Sequence, residues 1–494
     1  MQEIEDGGTE NKSGSSQEMA WKEGGRPQKA GTIVAIECAA VVLVGVLIWF
    51  YRLPDLSPLA EHGFAVLALT IGLWITEVVP AAVAGLLFMV LLPLLKVAPP
   101  NVAFAGMTAP VLWLILAGLL LGVAVDKTGL ARRLAYWAII RFRADTPFRV
   151  VVSFVFTGAV LTFVLPTVVA RVAVLIPVTM GLVEAFHAGT TDRISKFLMT
   201  TMFLASQSIM MMVMTSIEPN LVAVGLLARQ GIHVSWGHFF LMWSIPALFL
   251  NTLIAFVIPF VLYAPVRQTR LDLRRLEEEQ RRLGPVSADE KKMAVCFAVV
   301  LLLWATSAWT NLNPAWVGVL AVTALFVPGV RVLSMGDVRQ RLNLMHVFFL
   351  GAVLSIAAVM KHVALTDSAV RFLDTHFAIP GQGYTAALGL TALVQVLHLG
   401  LSDVTSFVAS VMPIFLKYAA IHHLSQVWVA WVVLAASLGF LLPYQAAPIL
   451  IIYSLGYLEM RDVLKIGALI TLATLVLVPF LAVVWWSWAI PLWL

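Results

Sequence analysis

The sequence predicts an all-α polytopic membrane protein with about eleven transmembrane helices, two re-entrant hairpins and an inverted repeat. Three observations carry that prediction. First, 61% of the 494 residues are hydrophobic and 12% charged, too apolar a balance for a soluble chain. The apolar residues gather into runs close to the roughly twenty that a helix needs to cross hydrocarbon. Second, two runs are interrupted by polar residues at matching places. Leu165 to Pro177 reads LPTVVARVAVLIP, and Leu401 to Phe415 reads LSDVTSFVASVMPIF. Thr167 stands ten residues before Pro177, as Asp403 stands ten before Pro413. Third, whole pieces recur roughly 230–236 residues apart, the mark of internal duplication.

Taken in order, residues 1–30 are polar, contain Gly and Ser, and carry mixed charge. They read as a flexible cytoplasmic tail without a signal peptide. The first repeat, 31–265, opens with an apolar helix at Gly31 to Phe50. Two runs at about 63–79 and 81–97 follow, joined by WITEVVP, where Glu77 reads as a structural junction residue. A fourth helix ends in DKTGL. The loop after it holds Arg132, Arg133, Arg141, Arg143 and Arg149, which points to the cytoplasm. Residues 147–186 read as a re-entrant hairpin, two arms too short to cross separately with a break at Pro166 to Arg171. The run at 195–228 is broken by TSIEPN (Thr215 to Asn220), and its methionines, Met210 to Met212 and Met214, read as helix packing. Another helix follows at about 238–264.

Residues 266–292 carry eight Lys/Arg and six Asp/Glu and read as a cytoplasmic linker with a short amphipathic helix. The second repeat, 293–494, retraces the first. PAWVGVLAVTALFVP (Pro314 to Pro328) parallels PAAVAGLLFMVLLP (Pro80 to Pro93), the hairpin at 383–420 parallels that at 147–186, and LLPYQAAPIL parallels TSIEPNLVAV. An odd number of crossings per repeat inverts the second copy. With the N-terminus inside, every Arg-rich loop then falls on the cytoplasmic side. The C-terminus lies outside, where Trp485, Trp486, Trp488 and Trp493 form an interfacial belt.

Lipid offers no hydrogen bonds, so interrupted helices survive there only buried in protein or beside a wet cavity. Paired breaks in two repeats point to a transporter's binding site at mid-membrane. Exposed N–H ends suit an anion, and exposed carbonyl ends suit a sodium ion. On this reading Thr167, Arg171, Asn220, Asp403, Thr405 and Gln445 bind the substrate. Asp403, Glu218 and Ser402 serve a coupling ion, and a sodium site lies near Thr167 and Asp403. Plainer readings stand beside these. Thr167 and Thr405 can simply cap helices, Arg171 can brace the hairpin, Glu218 can belong to an ion pair, and His398 reads as a buried, hydrogen-bonded imidazole. Cys38 and Cys296 sit in different apolar runs and suggest neither a disulfide nor a metal site.

WITEVVP, the run Ala103 to Ala135, the two hairpin tips and the stretch Leu441 to Gly467 together resemble the divalent anion:sodium symporter family over nearly the whole chain after residue 31. The resemblance implies a homodimer in the plasma (inner) membrane, each protomer having a scaffold part and a mobile transport part. It also implies elevator-like alternating access and sodium-driven carriage of dicarboxylates, citrate or sulfate. Members of that family carry a Ser-Asn-Thr triplet at each tip. Here those places hold Thr167, Val168, Val169 and Asp403, Val404, Thr405. Two added carboxylates, Asp403 and Glu218, make protons an alternative coupling ion. A secondary transporter of small anions is the reading adopted. An anion channel, or a transport-inactive sensor or partner subunit, is the alternative. No enzyme signature, cofactor motif or P-loop is present, and the basic loops are too short and scattered to serve nucleic acid.

Overall fold

A computed structural model describes residues 31–53, 56–142, 146–264, 274–377, 379, 383–401 and 403–489. The N-terminal tail, Arg143, residues 266–273 of the linker, Ser402 and Trp493 therefore lie outside the described residues. Every described element is helical. In chain order the helices are α1 (Gly31–Phe50), α2 (Pro58–Thr76), α3 (Ala81–Leu94), α4 (Pro110–Thr128), α5 (Leu130–Arg141), α6 (Pro147–Val164), α7 (Val168–Ala185), α8 (Arg193–Gln207), α9 (Glu218–Arg229) and α10 (Trp236–Tyr263). They continue with α11 (Arg274–Arg282), α12 (Ala288–Ala305), α13 (Pro314–Phe326), α14 (Met335–Arg341), α15 (Leu344–His362), α16 (Leu365–His376), α17 (Tyr384–His398), α18 (Val404–Ile421), α19 (Gln426–Ala436), α20 (Ala447–Ser454) and α21 (Met460–Val484).

Local chemistry sets the boundaries. Ser57 before Pro58, Thr146 before Pro147 and Asn313 before Pro314 each accept a hydrogen bond from the first helical turn. A capping oxygen followed by proline at the first position satisfies a free N–H and fixes φ for helix entry. Ser287 and Glu290 form a reciprocal capping box at the start of α12, directly after the charged linker helix α11. Glu77 and Gly129 close α2 and α4 in the left-handed conformation.

Among the described residues nine helices are long and apolar enough to cross a membrane, and four shorter apolar ones join them. The hairpin arms correct one expectation. α6 and α7 have 18 residues each and both qualify by length, because α7 runs through Pro177 instead of stopping there. What makes this unit a hairpin is the turn at Leu165 to Thr167, not shortness. The first helical break also differs. Helix α8 ends at Gln207, and the chain passes through two 3-10 turns, Ser208–Met211 and Met214–Ser216, before α9 begins. Met210, Met211, Met212 and Met214 therefore line the break itself, all buried. Flexible thioethers fill the irregular space a regular helix would leave.

Two groups of helices pack internally. In one, α3 lies on α15 and α4 on α13, with α1, α2 and α12 alongside. In the other, α8 lies on α6, α7 and α10, while α17, α19 and α21 pack together and α21 meets α10. α9 and α18 pack on each other where the groups meet, and α18 also touches α15 and α16. Small residues permit the closest approaches, as helix packing in lipid favours. The amide of Gly106 donates to Ser355 Oγ at 2.9 Å, and a Cβ there would lie 2.0 Å from the Gly351 carbonyl oxygen. Gly122 admits the first hairpin tip, since a Cβ would sit 2.9 Å from Cδ of Pro166.

Helix bounds recur along the chain. Pro110–Thr128 and Leu344–His362 have equal lengths, as do Val168–Ala185 and Val404–Ile421, and proline is the tenth residue of both α7 and α18. α4 and α15 run antiparallel. Asp126 and Lys127, at the end of α4, pair with Arg341 and with Asp337 (2.8 Å), which lie just before α15.

Candidate functional site

The first tip is built by Thr167, whose hydroxyl caps α7 by accepting from the Ala170 amide at 3.1 Å. That places Arg171 in the first turn, fully buried. Its Nη1 donates to the carbonyls of Leu165 (3.0 Å) and Ser216 (3.2 Å), so it ties the tip to the first break. Its Nε and Nη2 are buried without a partner. Asn220, in the first turn of α9, donates Nδ2 to the carbonyls of Met210 (2.9 Å) and Val213 (3.0 Å) and to Ser216 Oγ (3.3 Å). Its Oδ1 is buried and unpartnered. A buried polar atom without a partner costs roughly 1–3 kcal/mol, and three such atoms stand on two side chains at this break.

The second tip is capped by Asp403. Its Oδ2 accepts from the Ser406 amide and hydroxyl, both at 2.7 Å, while the residue itself is exposed. Thr405 is buried in the first turn behind it. The second break, between α19 and α20, is closed by its own side chains. Gln445 Oε1 accepts from the amides of Leu441 (3.0 Å) and Leu442 (2.9 Å), and its Nε2 donates to the His398 carbonyl at 2.8 Å. The Tyr444 hydroxyl donates to the Leu399 carbonyl at 2.7 Å. His398, buried, holds the Gly439 carbonyl through Nδ1 at 3.2 Å. Gln445, which the sequence suggests as a substrate ligand, thus makes three hydrogen bonds to main-chain groups, two in its own break and one on α17.

The breaks and tips cross over between halves: α9 packs on α18, and α20 touches α7. At the first crossing Glu218 Oε1 lies 2.8 Å from His346 Nε2. Asp403 is within electrostatic reach of both. The sequence alone does not single out His346. Its signal was a histidine in the opening turn of an otherwise apolar helix, a weak one without knowing that this turn faces the first break. Thr167 instead lines a cavity of about 330 Å³ with Asp126, Arg132, Pro177 and Arg341, and Asp403 is not among its walls. The first tip thus reaches the second through Arg171, Ser216 and Glu218.

No cluster of three or more His, Cys, Asp or Glu fit for a metal occurs among the described residues. Sodium would need main-chain and hydroxyl oxygens instead. At the first tip and break the carbonyls of Leu165, Met210, Val213 and Ser216 already accept from Arg171 and Asn220.

The chain as a whole resembles known proteins. The family described as the sodium:sulfate symporter transmembrane region matches residues 34–492. A membrane protein of Cupriavidus necator is 24% identical over 91% of this chain and 92% of its own length. The L-tartrate/succinate antiporter of Escherichia coli is 26% identical over 78% of this chain and 80% of its own. The Alcanivorax borkumensis YdaH transporter shares the fold at a TM-score of 0.52 and 14% identity, covering 93% of this chain and 98% of that one. Neisseria gonorrhoeae MtrF does so at 0.54 and 13%, covering 91% and 94%. The chain is a multi-pass membrane transport protein, not an enzyme, and it belongs to the sodium:sulfate symporter family.

Proposed function

We propose that this protein is a secondary carrier that exchanges small dicarboxylate-type anions by elevator-like alternating access. The observation that carries the reading is the meeting of the first break with the second tip, where α9 packs on α18 and the Glu218–His346 pair lies within electrostatic reach of Asp403, with the buried Arg171 bonded to Ser216. The antiparallel run of α4 and α15 supports an inverted repeat of 31–265 and 293–494. The two internally packed groups support a division into scaffold and transport parts. Arg133 bonds Glu290 and the Gly284 carbonyl, and Lys127 bonds the Val332 carbonyl. These contacts gather the basic loops at one end, which fits a cytoplasmic face and a cytoplasmic N-terminus. The homodimer implied by the family resemblance belongs to the same reading.

On coupling, the fixed cation of Arg171 and the amide of Asn220 occupy the carbonyl oxygens that a sodium ion would need at the first tip. Two carboxylates and an imidazole nearby can instead share protons, lowering their charge as a dianion enters. A relative that exchanges L-tartrate for succinate supports this choice of substrate class. The test is counterflow in proteoliposomes loaded with unlabelled succinate and given labelled succinate outside. A carrier produces a transient accumulation of label that sodium gradients leave unchanged. Entry that only equilibrates, without overshoot, would mean a channel, and entry that requires sodium would overturn the coupling proposed here.

A further inference from the structure

At the far end of the antiparallel pair from the first cavity lies a second, of about 410 Å³. It is enclosed by the end of α9, the end of α15, the start of α16 and the middle of α18. Its charged lining is Arg229, Lys361, Lys417 and Asp367. Lys417 pairs with Asp367 at 3.2 Å. Among the described residues Arg229 and Lys361 have no ion-pair partner, so the cavity carries two positive charges in excess. Arg229 and Lys361 stand in or beside the last turns of their helices, where a cation complements the dipole, and that alone would explain either one. It does not explain why both face one space with Lys417, which comes from the interior of α18 beside Pro413. The volume falls in the roughly 300–1,000 Å³ range of small-molecule sites.

We infer that this cavity is a second anion site, separate from the crossing of breaks and tips, which takes a multiply charged oxyanion through Arg229, Lys361 and Lys417. Two sources supply such chemistry, a soluble di- or tricarboxylate and the headgroup of an anionic phospholipid. Three cations from three helices raise the local concentration of either, and salt weakens the effect. Asp367 competes for Lys417 and limits the affinity.

The test labels the cavity itself. In the full chain carrying Cys38→Ser and Cys296→Ser, Gln230→Cys at the cavity wall bears an environment-sensitive fluorophore, and citrate is titrated in neutral detergent at low ionic strength. A saturable change is expected. Arg229→Gln or Lys361→Gln should weaken it roughly fivefold, and Asp367→Asn should tighten it at least about twofold by freeing Lys417. The opposite directions protect the test against variants that merely fold poorly. Asp403→Asn should leave the titration unchanged, which separates this site from the transport site. The same labelled chain in nanodiscs of phosphatidylglycerol and of phosphatidylcholine distinguishes the sources. A change with phosphatidylglycerol alone assigns the site to a headgroup, and a change with citrate assigns it to a soluble anion. No response to either, indifference to the charge variants, or loss of the response in Asp403→Asn would overturn the inference.

Discussion

Each half of the chain holds one broken helix, yet the side chains of the two breaks are used in different ways. The second break is nearly saturated, with His398 Nε2 alone of its side chains named here left buried without a partner. Gln445, Tyr444 and His398 bond its amides and carbonyls to the adjoining hairpin. The first break is pinned as firmly by Arg171 and Asn220, but it keeps three buried polar atoms without a partner and sets Glu218 against His346. Nature rarely leaves a guanidinium half-used in a buried place without a compensating role. The difference teaches that one fold device, a broken helix, can be fastened by its side chains in one half of the chain and left with unpaired buried polar atoms in the other.

That contrast is open to direct attack. The largest effect belongs to Arg171→Gln, which removes the fixed cation from tip and break. Dicarboxylate exchange in proteoliposomes should fall at least about tenfold, a barrier rise of roughly 1.4 kcal/mol or more. Near-normal exchange in this variant would erase the distinction between the breaks. Next comes Gln445→Ala, which frees two amides and a carbonyl. Its cost should be roughly 1–3 kcal/mol of stability, read as a lower thermal midpoint in detergent. Exchange per folded molecule should change less than about threefold. A third variant, His346→Gln, keeps a polar group beside Glu218 but cannot take up a proton near neutrality. Its exchange rate should vary less between about pH 5 and pH 8 than that of the unaltered protein; an unchanged profile would remove His346 from coupling.

The smallest effect lies far from both breaks. Lys127 and Ser334 hold the Asp337 carboxyl down to about 2, below the ordinary value of about 4. A carboxyl lowered on folding stabilises the folded form above its ordinary value, and that contribution fades as pH falls toward about 2. Asp337→Asn should therefore lower the thermal midpoint slightly, by about 0.5–1 kcal/mol of stability for so exposed a pair. The deficit should be constant from pH 7 to pH 5 and shrink below that. A deficit that grew on acidification would contradict the assignment.

Much of this architecture was legible in the sequence because lipid imposes strict rules. The apolar runs, the Arg-rich loops, the linker helix Arg274–Arg282 and the paired prolines of α7 and α18 all followed from length, charge and spacing. The extent of the first break was not legible, because methionines are good helix formers and nothing local announces that the helix stops at Gln207. The use of Gln445 was also hidden. An amide in a broken helix reads as a ligand until its backbone partners, three to four residues away or across at His398, are known. His346 escaped notice for the same reason, since its meaning comes from a contact 128 residues distant along the chain.

The central claim is that the first break and the second tip form one site. The most direct measurement is a double-mutant cycle on succinate exchange with Glu218→Gln, Asp403→Asn and the pair. If the two carboxylates act together, the combined loss should depart from the sum of the single losses by more than about 1 kcal/mol, a fivefold or larger discrepancy in rate. Losses that add to within about 0.5 kcal/mol would mean that the two residues work apart, and the single site described here would not exist.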